Sequence, residues 1–466
     1  MAYPFFMLFT LLTASGQHPS LPPLLALEFE KVRINESPED ELSIYYGNLA
    51  DILEILFTEN EFDYERLREN RSDRIDKVED SSLPKSWKNF LEAEIKLQWA
   101  FLEFRFGHDW DAFWGLRSAY KISKKLYEND PSFAPNLRTQ GLLNIIFGTV
   151  PSSKQWLMNL FGLKGDVFKG IDQITQLQTH TGFELESRLI LGMTEIFLLE
   201  DFQTGKARID SLSNPSILSK YVQALTDLKT HNALKARNAL IEIFEHAPVL
   251  EYFLAETYFQ EQDFDKAKRH YRQFLKRNEG TAYIKDAHLK LSISSFYTND
   301  PENYRTELKN TETKGKDRTE IDKNALKLYK SIDEQDSVGL MIRFAIDGGF
   351  YDRAQILIAS QEKRQLPPYH ALELTYRKAR LAHLTEEIES AISLYREVIQ
   401  QAGKISETYY APNSFLQMAY LMREQGRKEE ARMYFENVLE FRNHPYKKSL
   451  DNKAKLGMAS LNHSND

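Results

Sequence analysis

Four pairs of alanines stand twelve positions apart in this chain: Ala224 and Ala236, Ala255 and Ala267, Ala379 and Ala391, Ala419 and Ala431. A fifth alanine, Ala354, has Ile342 in the earlier place. Around them apolar residues recur every three or four positions, so each pair puts one alanine on each arm of a short helical hairpin. With only methyl groups between them, the two axes can approach to about 8 Å, the near end of the usual interaxial range. The stretch Pro412–Leu439, PNSFLQMAYLMREQGRKEEARMYFENVL, shows the pattern most plainly. Gly426 supplies the turn, and Phe415, Met418, Met422, Phe435 and Val438 surround the two alanines. Tyr258, Tyr271 and Tyr395 fill the flanks of the other pairs.

No strand alternation holds for more than a few residues. The breaks fall at Pro131, Pro151, Gly182, Pro215, Pro248, Gly280, Pro301, Gly349, Pro367, Pro412 and Pro445, a spacing suited to helical hairpins. The expected fold is all-α, an α-α superhelix. The small residues of successive second helices lie about 31 to 40 positions apart, against about 34 for a tetratricopeptide repeat. The Pro412–Leu439 hairpin resembles that repeat.

The expected organisation has three parts. Residues 1–16 form a candidate signal peptide: the apolar run Pro4–Leu12 is too short to span a bilayer, and Ala14 and Gly16 suit a cleavage site. Residues 17–170 form an N-terminal helical block. Residues 171–466 hold the repeats, with Tyr446–Leu461 as a capping helix. Within the block, helices are expected over Leu24–Ile34, Leu42–Phe57, Trp87–Phe106 and Trp110–Tyr127. The charged stretch Glu65–Ser82 reads as an exposed loop or frayed helix. Asn310–Glu320 (NTETKGKDRTE) reads as a loop interrupting the stack, and between Ala267 and Ala354 only one unit is legible, near Ala287.

The string from Asn129 to Gly170 carries a further resemblance. Asp130-Pro131, Gly141, Val150-Pro151, Phe161-Gly162, Gly165-Asp166 and Gly170 follow one another as in the tetratricopeptide family of fungal mitochondrial outer-membrane inclusion-clearance proteins and their animal relatives. That resemblance implies a helical scaffold without catalytic residues. The candidate export signal departs from the family and suggests a bacterial member. In physical terms Gly141 removes a side chain where another helix crosses, and Asp166 can cap the next helix.

Residue chemistry excludes more than it indicates. There are no cysteines, which removes disulfides, thiolate metal sites and cysteine nucleophiles. A formal charge of -8 lacks the basic field that nucleic acid binding needs. The GLKGDVFKG run has neither phosphate-loop spacing nor a preceding strand. His108, Asp109 and Asp111 sit at a helix start, where acidic residues favour the helix dipole. No cofactor or metal site is expected. Trp87, Trp99, Trp110 and Trp114 with nearby phenylalanines read as an aromatic core.

The function expected is a non-catalytic scaffold that binds a protein or peptide. Two alternatives remain: a hydrolytic enzyme with an acidic site in a helical fold, or an assembly subunit of the cell envelope. In a tetratricopeptide stack the first helix of each unit lines the concave face. Extending the register of Ala419 and Ala431 places Tyr252, Glu256, Phe259, Arg343, Tyr376, Arg380, His383, Tyr420 and Arg423 there. Of these, Tyr252, Phe259, Arg343, Tyr376, Arg380, Tyr420 and Arg423 are the candidate peptide-binding residues. Leu416, Tyr420 and Glu424 occupy the places of the lysine/asparagine clamp of chaperone-binding repeats, so a free C-terminal carboxylate is not the expected ligand. An extended acidic or aromatic-bearing segment is. No transmembrane span is expected in the mature chain. The location is periplasm or cell envelope if the signal is genuine, cytoplasm otherwise. N-terminal sequencing of the native protein is expected to begin at Gln17; an intact Met1 or Ala2 overturns export.

Overall fold

A computed structural model describes residues 18–150, 158–180, 183–212, 215–402 and 408–463. The candidate signal peptide and the breaks at Pro151 and Gly182 lie outside the described residues. Every regular element among the described residues is helical, as the all-α reading expects. None of these helices is long and apolar enough to cross a membrane. Two compact units are present. The first comprises Met1–Thr226, Lys235–Ala255 and Asp265–Tyr329; the second comprises Asp227–Leu234, Glu256–Phe264 and Lys330–Asp466.

In the first unit the core helix is Glu41–Thr58, capped by the Asp40 carboxylate, which accepts from the amides of Leu42 at 3.0 Å and Ser43 at 3.2 Å. It packs on Lys85–Phe106, which turns back through Gly107 (φ 86°) into Asp109–Asn129. Ahead of them the expected single helix Leu24–Ile34 is two, Leu21–Leu25 and Phe29–Ile34, because Leu27 adopts φ 57°.

Small residues meet between helices here as well, earlier in the chain than the alanine pairs. A Cβ on Gly170 would stand 2.5 Å from the Gly141 carbonyl oxygen, and one on Gly205 would stand 2.7 Å from that of Gly192. The helices Asn136–Gly148 and Val167–Leu177 therefore cross backbone against backbone, as do Glu184–Thr194 and Phe202–Asp210. The expectations for Gly141 and Asp166 both hold: Asp166 caps the Val167–Leu177 helix at Phe168 (2.9 Å) and Lys169 (3.1 Å). Ala224, Ala236, Ala255 and Ala267 are inaccessible to solvent in the same unit.

One expected loop is largely helix, and the other is a loop over 314–319 that follows the end of a helix. Glu61–Leu67 and Asn70–Asp80 occupy most of Glu65–Ser82. Most of its charged residues are exposed, as expected, but Arg74 is buried among partners. Arg74, 3% exposed, donates to Asp51 at 2.6 Å and to Glu36 at 3.0 Å. The segment Asn310–Glu320 completes the helix Pro301–Thr313, which pairs with Ile284–Tyr297 around the buried Ala287. Its remainder is fastened at Glu61 by Lys316 (2.5 Å) and Arg318 (2.6 Å). Just beyond it, Asp322 accepts from the amides of Tyr283 (2.8 Å) and Lys285 (3.0 Å), capping the Ile284–Tyr297 helix from a distance.

The second unit holds the hairpins Ser337–Gly348 with Tyr351–Gln361, Pro368–Leu384 with Ile388–Ala402, and Tyr410–Glu424 with Lys428–Glu440. The helix Lys447–His463 packs on both arms of the last of them. Ala354, Ala379, Ala391, Ala419, Ala431 and Ile342 are all fully buried. The first helices of successive hairpins lie beside one another, Ser337–Gly348 on Pro368–Leu384 and Pro368–Leu384 on Tyr410–Glu424.

Ala419→Leu and Ala431→Leu are each expected to destabilise the C-terminal hairpin by about 1–3 kcal/mol through overpacking. Gly170→Ala should cost at least as much, since its methyl group would meet backbone. The exposed change Glu429→Ala should stay within about 0.5 kcal/mol. Indistinguishable thermal melts across the set overturn this register.

Candidate functional site

The seven candidate residues divide by chemistry. The aromatic ones are core. Tyr252, in the first unit, is 1% exposed, stacks on Tyr283 at 4.7 Å and donates its hydroxyl to Asp286 at 2.6 Å. Phe259 is fully buried in the second unit and meets Phe344 edge-on at 4.7 Å. Tyr376 and Tyr420 are also buried; Tyr420 packs edge-on against Phe435 at 5.5 Å. These four side chains fill the packing between helices, so the aromatic half of the expected groove surface is not presented to a ligand. The arginines differ. Arg343, Arg380 and Arg423 are partly exposed, one on each of three adjacent first helices.

Around Arg343 and Arg380 the second unit assembles a polar cluster. Arg380 donates to Gln417 Oε1 at 2.5 Å and faces His231 Nε2 at 3.5 Å. His231 Nδ1 lies 3.1 Å from the Asp347 carbonyl oxygen. A carbonyl only accepts, so Nδ1 carries the proton, and a neutral His231 turns its Nε2 lone pair toward Arg380. His383 Nδ1 sits 3.1 Å from the Tyr395 hydroxyl. The Asp347 carboxylate is 3.6 Å from Arg343. One turn before Arg380, Arg377 is 7% exposed; it donates to Glu373 at 2.7 Å and to the Tyr409 hydroxyl at 3.4 Å. Its Nε–H has no acceptor. Arg423 lies over the Tyr420 ring at 4.9 Å.

The electrostatics follow from this crowding. Burial first, and the Arg380 guanidinium second, push His231 down to about 4 and His383 down to about 3. Both imidazoles are therefore neutral at pH 7. Burial pushes the Tyr395 hydroxyl up to about 12, so it too is neutral. The fixed charges are the guanidiniums of Arg343, Arg377 and Arg380 against the carboxylates of Asp347 and Glu373.

Sequence reasoning missed His231, Arg377, Tyr395 and Gln417. Arg377 was within reach of it, being three residues from Arg380 and so on the same helix face. His231 had no local signal. It follows the helix Ile217–Lys229, adopts φ 60°, and reaches Asp347 from 116 positions away.

A second group of acids converges in the first unit. Arg138 is fully buried between Glu94 and Glu186, with its Nε 2.5 Å from Glu186, and Thr139 donates to Glu94 at 2.5 Å. Burial pushes the Glu186 carboxyl up to about 8. Paired carboxylates with a displaced pKa suit an acidic enzyme, but all of these groups are sealed from solvent. The arrangement can hold helices in register; it gives a substrate no access.

The aromatic core expectation holds for Trp99, whose indole N–H donates to Asn48 at 2.9 Å. It fails for Trp110 and Trp114, which are 67% and 48% exposed. His108 stacks on Tyr64 at 5.4 Å, with Asp109 and Asp111 in the first turn of their helix. No cluster of three or more potential metal ligands occurs among the described residues.

Comparison with known proteins identifies the hairpins. Residues 413–441 and residues 252–281 each match the tetratricopeptide repeat family. The chain carries tetratricopeptide repeats. No curated protein matches it. Among solved structures, the human IFIT1 dimer with PPP-AAAA is 12% identical over 89% of this chain and 99% of that one, with a TM-score of 0.29. The APC/C hetero-tetramer Cut9–Hcn1 is 12% identical over 93% and 95%, with a TM-score of 0.23. Likeness at that level carries nothing further to this chain.

The two neutral histidines make stability depend on pH. An unfolded histidine titrates at about 6.5. Below that value the unfolded chain binds more protons than the folded one, so stability rises with pH across the window. The contribution is complete above about 6.5 and is lost as pH falls toward about 4 for His231 and about 3 for His383. The melting temperature is expected to drop between pH 7.5 and pH 5.0, and to drop less in a His231→Gln/His383→Gln double variant. Equal drops in the two proteins overturn the assignment.

Proposed function

We propose that this chain is a non-catalytic scaffold whose second unit binds an extended acidic segment of a partner protein across Arg343, Arg380 and Arg423. One observation carries this reading: three adjacent first helices each present a partly exposed arginine, in a protein whose formal charge is -8. Arginine is among the side chains most often dominant at binding hot spots, because its planar fork pairs with carboxylates through two hydrogen bonds. The presence of tetratricopeptide repeats supports a protein partner, since such repeats commonly mediate protein binding. The narrower resemblance to inclusion-clearance proteins rests on the Asp130–Gly170 string, and only its expectation of a scaffold enters here. The buried positions of Tyr376 and Tyr420 remove the aromatic contacts from the proposal and leave charge as its basis.

The acidic-enzyme alternative would need solvent at Glu94 and Glu186. Their burial supports a structural role for that pair instead.

Screening an acidic peptide array against the full chain supplies the probe. Changing Arg343, Arg380 and Arg423 together to alanine is expected to weaken the selected peptide by at least about 2 kcal/mol. Unchanged affinity with an intact circular-dichroism spectrum rules the site out.

A further inference from the structure

We propose that Arg380, His231 and His383 form an oxyanion subsite, filled by a carboxylate or phosphate on a side chain of the bound segment, and that His231 takes up a proton at Nε2 when the site fills. The proposal deepens the peptide-binding reading above and rests on it.

The geometry begins with what Arg380 lacks. Its partners are neutral: the Gln417 amide oxygen at 2.5 Å, the Tyr395 hydroxyl, and, at a weak 3.5 Å, the His231 ring nitrogen. Among the described residues no carboxylate lies within ion-pair distance of Arg380, which feels Asp347 only from further off, whereas Arg377 has Glu373 and Arg343 has Asp347. A partly exposed guanidinium held in place by neutral groups is prepared for an anion from outside the unit. Behind it, the nearly buried Arg377 adds a fixed positive charge and is close enough to Arg343 for the two guanidiniums to repel.

The proton follows from the tautomer. His231 spends its only N–H on the Asp347 carbonyl, so the lone pair of Nε2 faces the Arg380 guanidinium, the group an oxyanion would approach. An oxyanion there meets repulsion from that lone pair and attraction if Nε2 is protonated. No bond is made or broken apart from N–H: the proton comes from solvent and returns to it on release. The charged groups around His231 are Arg380 and Lys229, which oppose its protonation, and Asp347, which favours it. Around His383 the charge is that of Arg380, with the neutral His231 ring and the neutral Tyr395 hydroxyl at 3.1 Å beside it. An added anion offsets Arg380 for both rings. With one proton taken up on binding, affinity rises as pH falls, by up to about tenfold per pH unit.

The site also has a backbone support. His231 adopts φ 60°, and its carbonyl oxygen would lie 2.0 Å from a Cβ on Gly349, which itself has φ 80°. Only glycine at 349 lets the His231 turn sit against the end of the Ser337–Gly348 helix.

The test uses the full chain and three decapeptides taken from the array hit, carrying glutamate, phosphoserine or glutamine at the central position, with inorganic phosphate as a fourth probe. Histidine side-chain resonances are followed by NMR, assigned with His231→Gln and His383→Gln. The glutamate or the phosphoserine peptide should move both resonances and raise both pKa values, and the glutamine peptide should bind at least about tenfold more weakly. For the glutamate peptide, Kd should fall at least about threefold per unit between pH 7.5 and 5.5, with that slope lost in His231→Gln. The stronger of the two acidic peptides identifies the oxyanion. Arg380→Gln should abolish the shifts while leaving the circular-dichroism spectrum and the thermal melt of a folded chain. Resonances unmoved by either acidic peptide, shifts with inorganic phosphate alone, a flat pH profile, or binding that survives Arg380→Gln would each overturn the proposal. If the triple arginine change weakens binding but the glutamine peptide binds as well as the glutamate one, the groove stands and this subsite falls.

Discussion

Close approach of helix backbones at small residues is the constraint on which each unit of this structure depends. Where Gly141 faces Gly170 and Gly192 faces Gly205, a single methyl group would collide with a carbonyl oxygen. Where alanines replace glycines, as at Ala419 and Ala431, the axes stand slightly further apart and large residues close the flanks: Phe435, Met418 and Val438 are all nearly inaccessible. The two classes of contact are linked, because the bulky flanking side chains touch only if the small ones let the axes approach. A leucine at one alanine would displace the helix and open gaps beside every flanking residue. Overpacking at one position thus becomes underpacking at several.

Charge is handled in two opposite ways within the chain. In the first unit buried charges are matched. Asp51, with no solvent exposure, takes Arg33 at 2.8 Å and Arg74 at 2.6 Å, and Arg138 lies between two glutamates. Such pairs return little net stability, because desolvation opposes their attraction; their worth is in penalising every packing that separates them. In the second unit the guanidiniums of Arg343, Arg377 and Arg380 outnumber the carboxylates of Asp347 and Glu373, and the two neighbouring histidines stay neutral. Surplus charge of one sign on partly exposed side chains destabilises a unit standing alone, and an external anion would relieve it.

The alanine hairpins were legible because one residue type returned at one spacing. The glycine crossings were less so: Gly170 lies 29 positions after Gly141 and Gly205 lies 13 after Gly192, so no fixed spacing joins them, although the role of Gly141 was readable from its place within an apolar helix. The charged stretch Glu65–Ser82 is mostly exposed, as its charge implies, but it is helical and Arg74 departs from the exposure for a physical reason. Charge predicts exposure only when partners are absent, and Asp51 and Glu36 come from elsewhere in the chain to meet Arg74. At the candidate site the arginines are partly exposed, as a groove position requires, but the tyrosines are buried. Tyr376 and Tyr420 share helices with Arg380 and Arg423, yet each points at a neighbouring ring: Tyr376 lies 5.1 Å from Tyr410, and Tyr420 lies 5.5 Å from Phe435. A helix position fixes a direction, but what lies in that direction depends on the adjoining hairpin. His231 shows the limit most clearly, since its meeting with Asp347 and Arg380 is a tertiary fact with no trace in the residues beside it.

The contrast between the whole and the part bears on the kind of ligand. A net charge of -8 repels a long polyanion over distances set by the Debye length, about 8 Å at physiological ionic strength. In the proposed reading a short peptide would place one or two acidic groups at Arg343 and Arg380 and need not extend its charge further. Because Gln417 holds Arg380 at 2.5 Å and Asp347 lies beside Arg343 at 3.6 Å, the guanidiniums are ordered before a ligand arrives, so less side-chain entropy is lost on binding. Few charges, already in place, inside a chain of opposite sign favour a ligand whose own charge is compact and local.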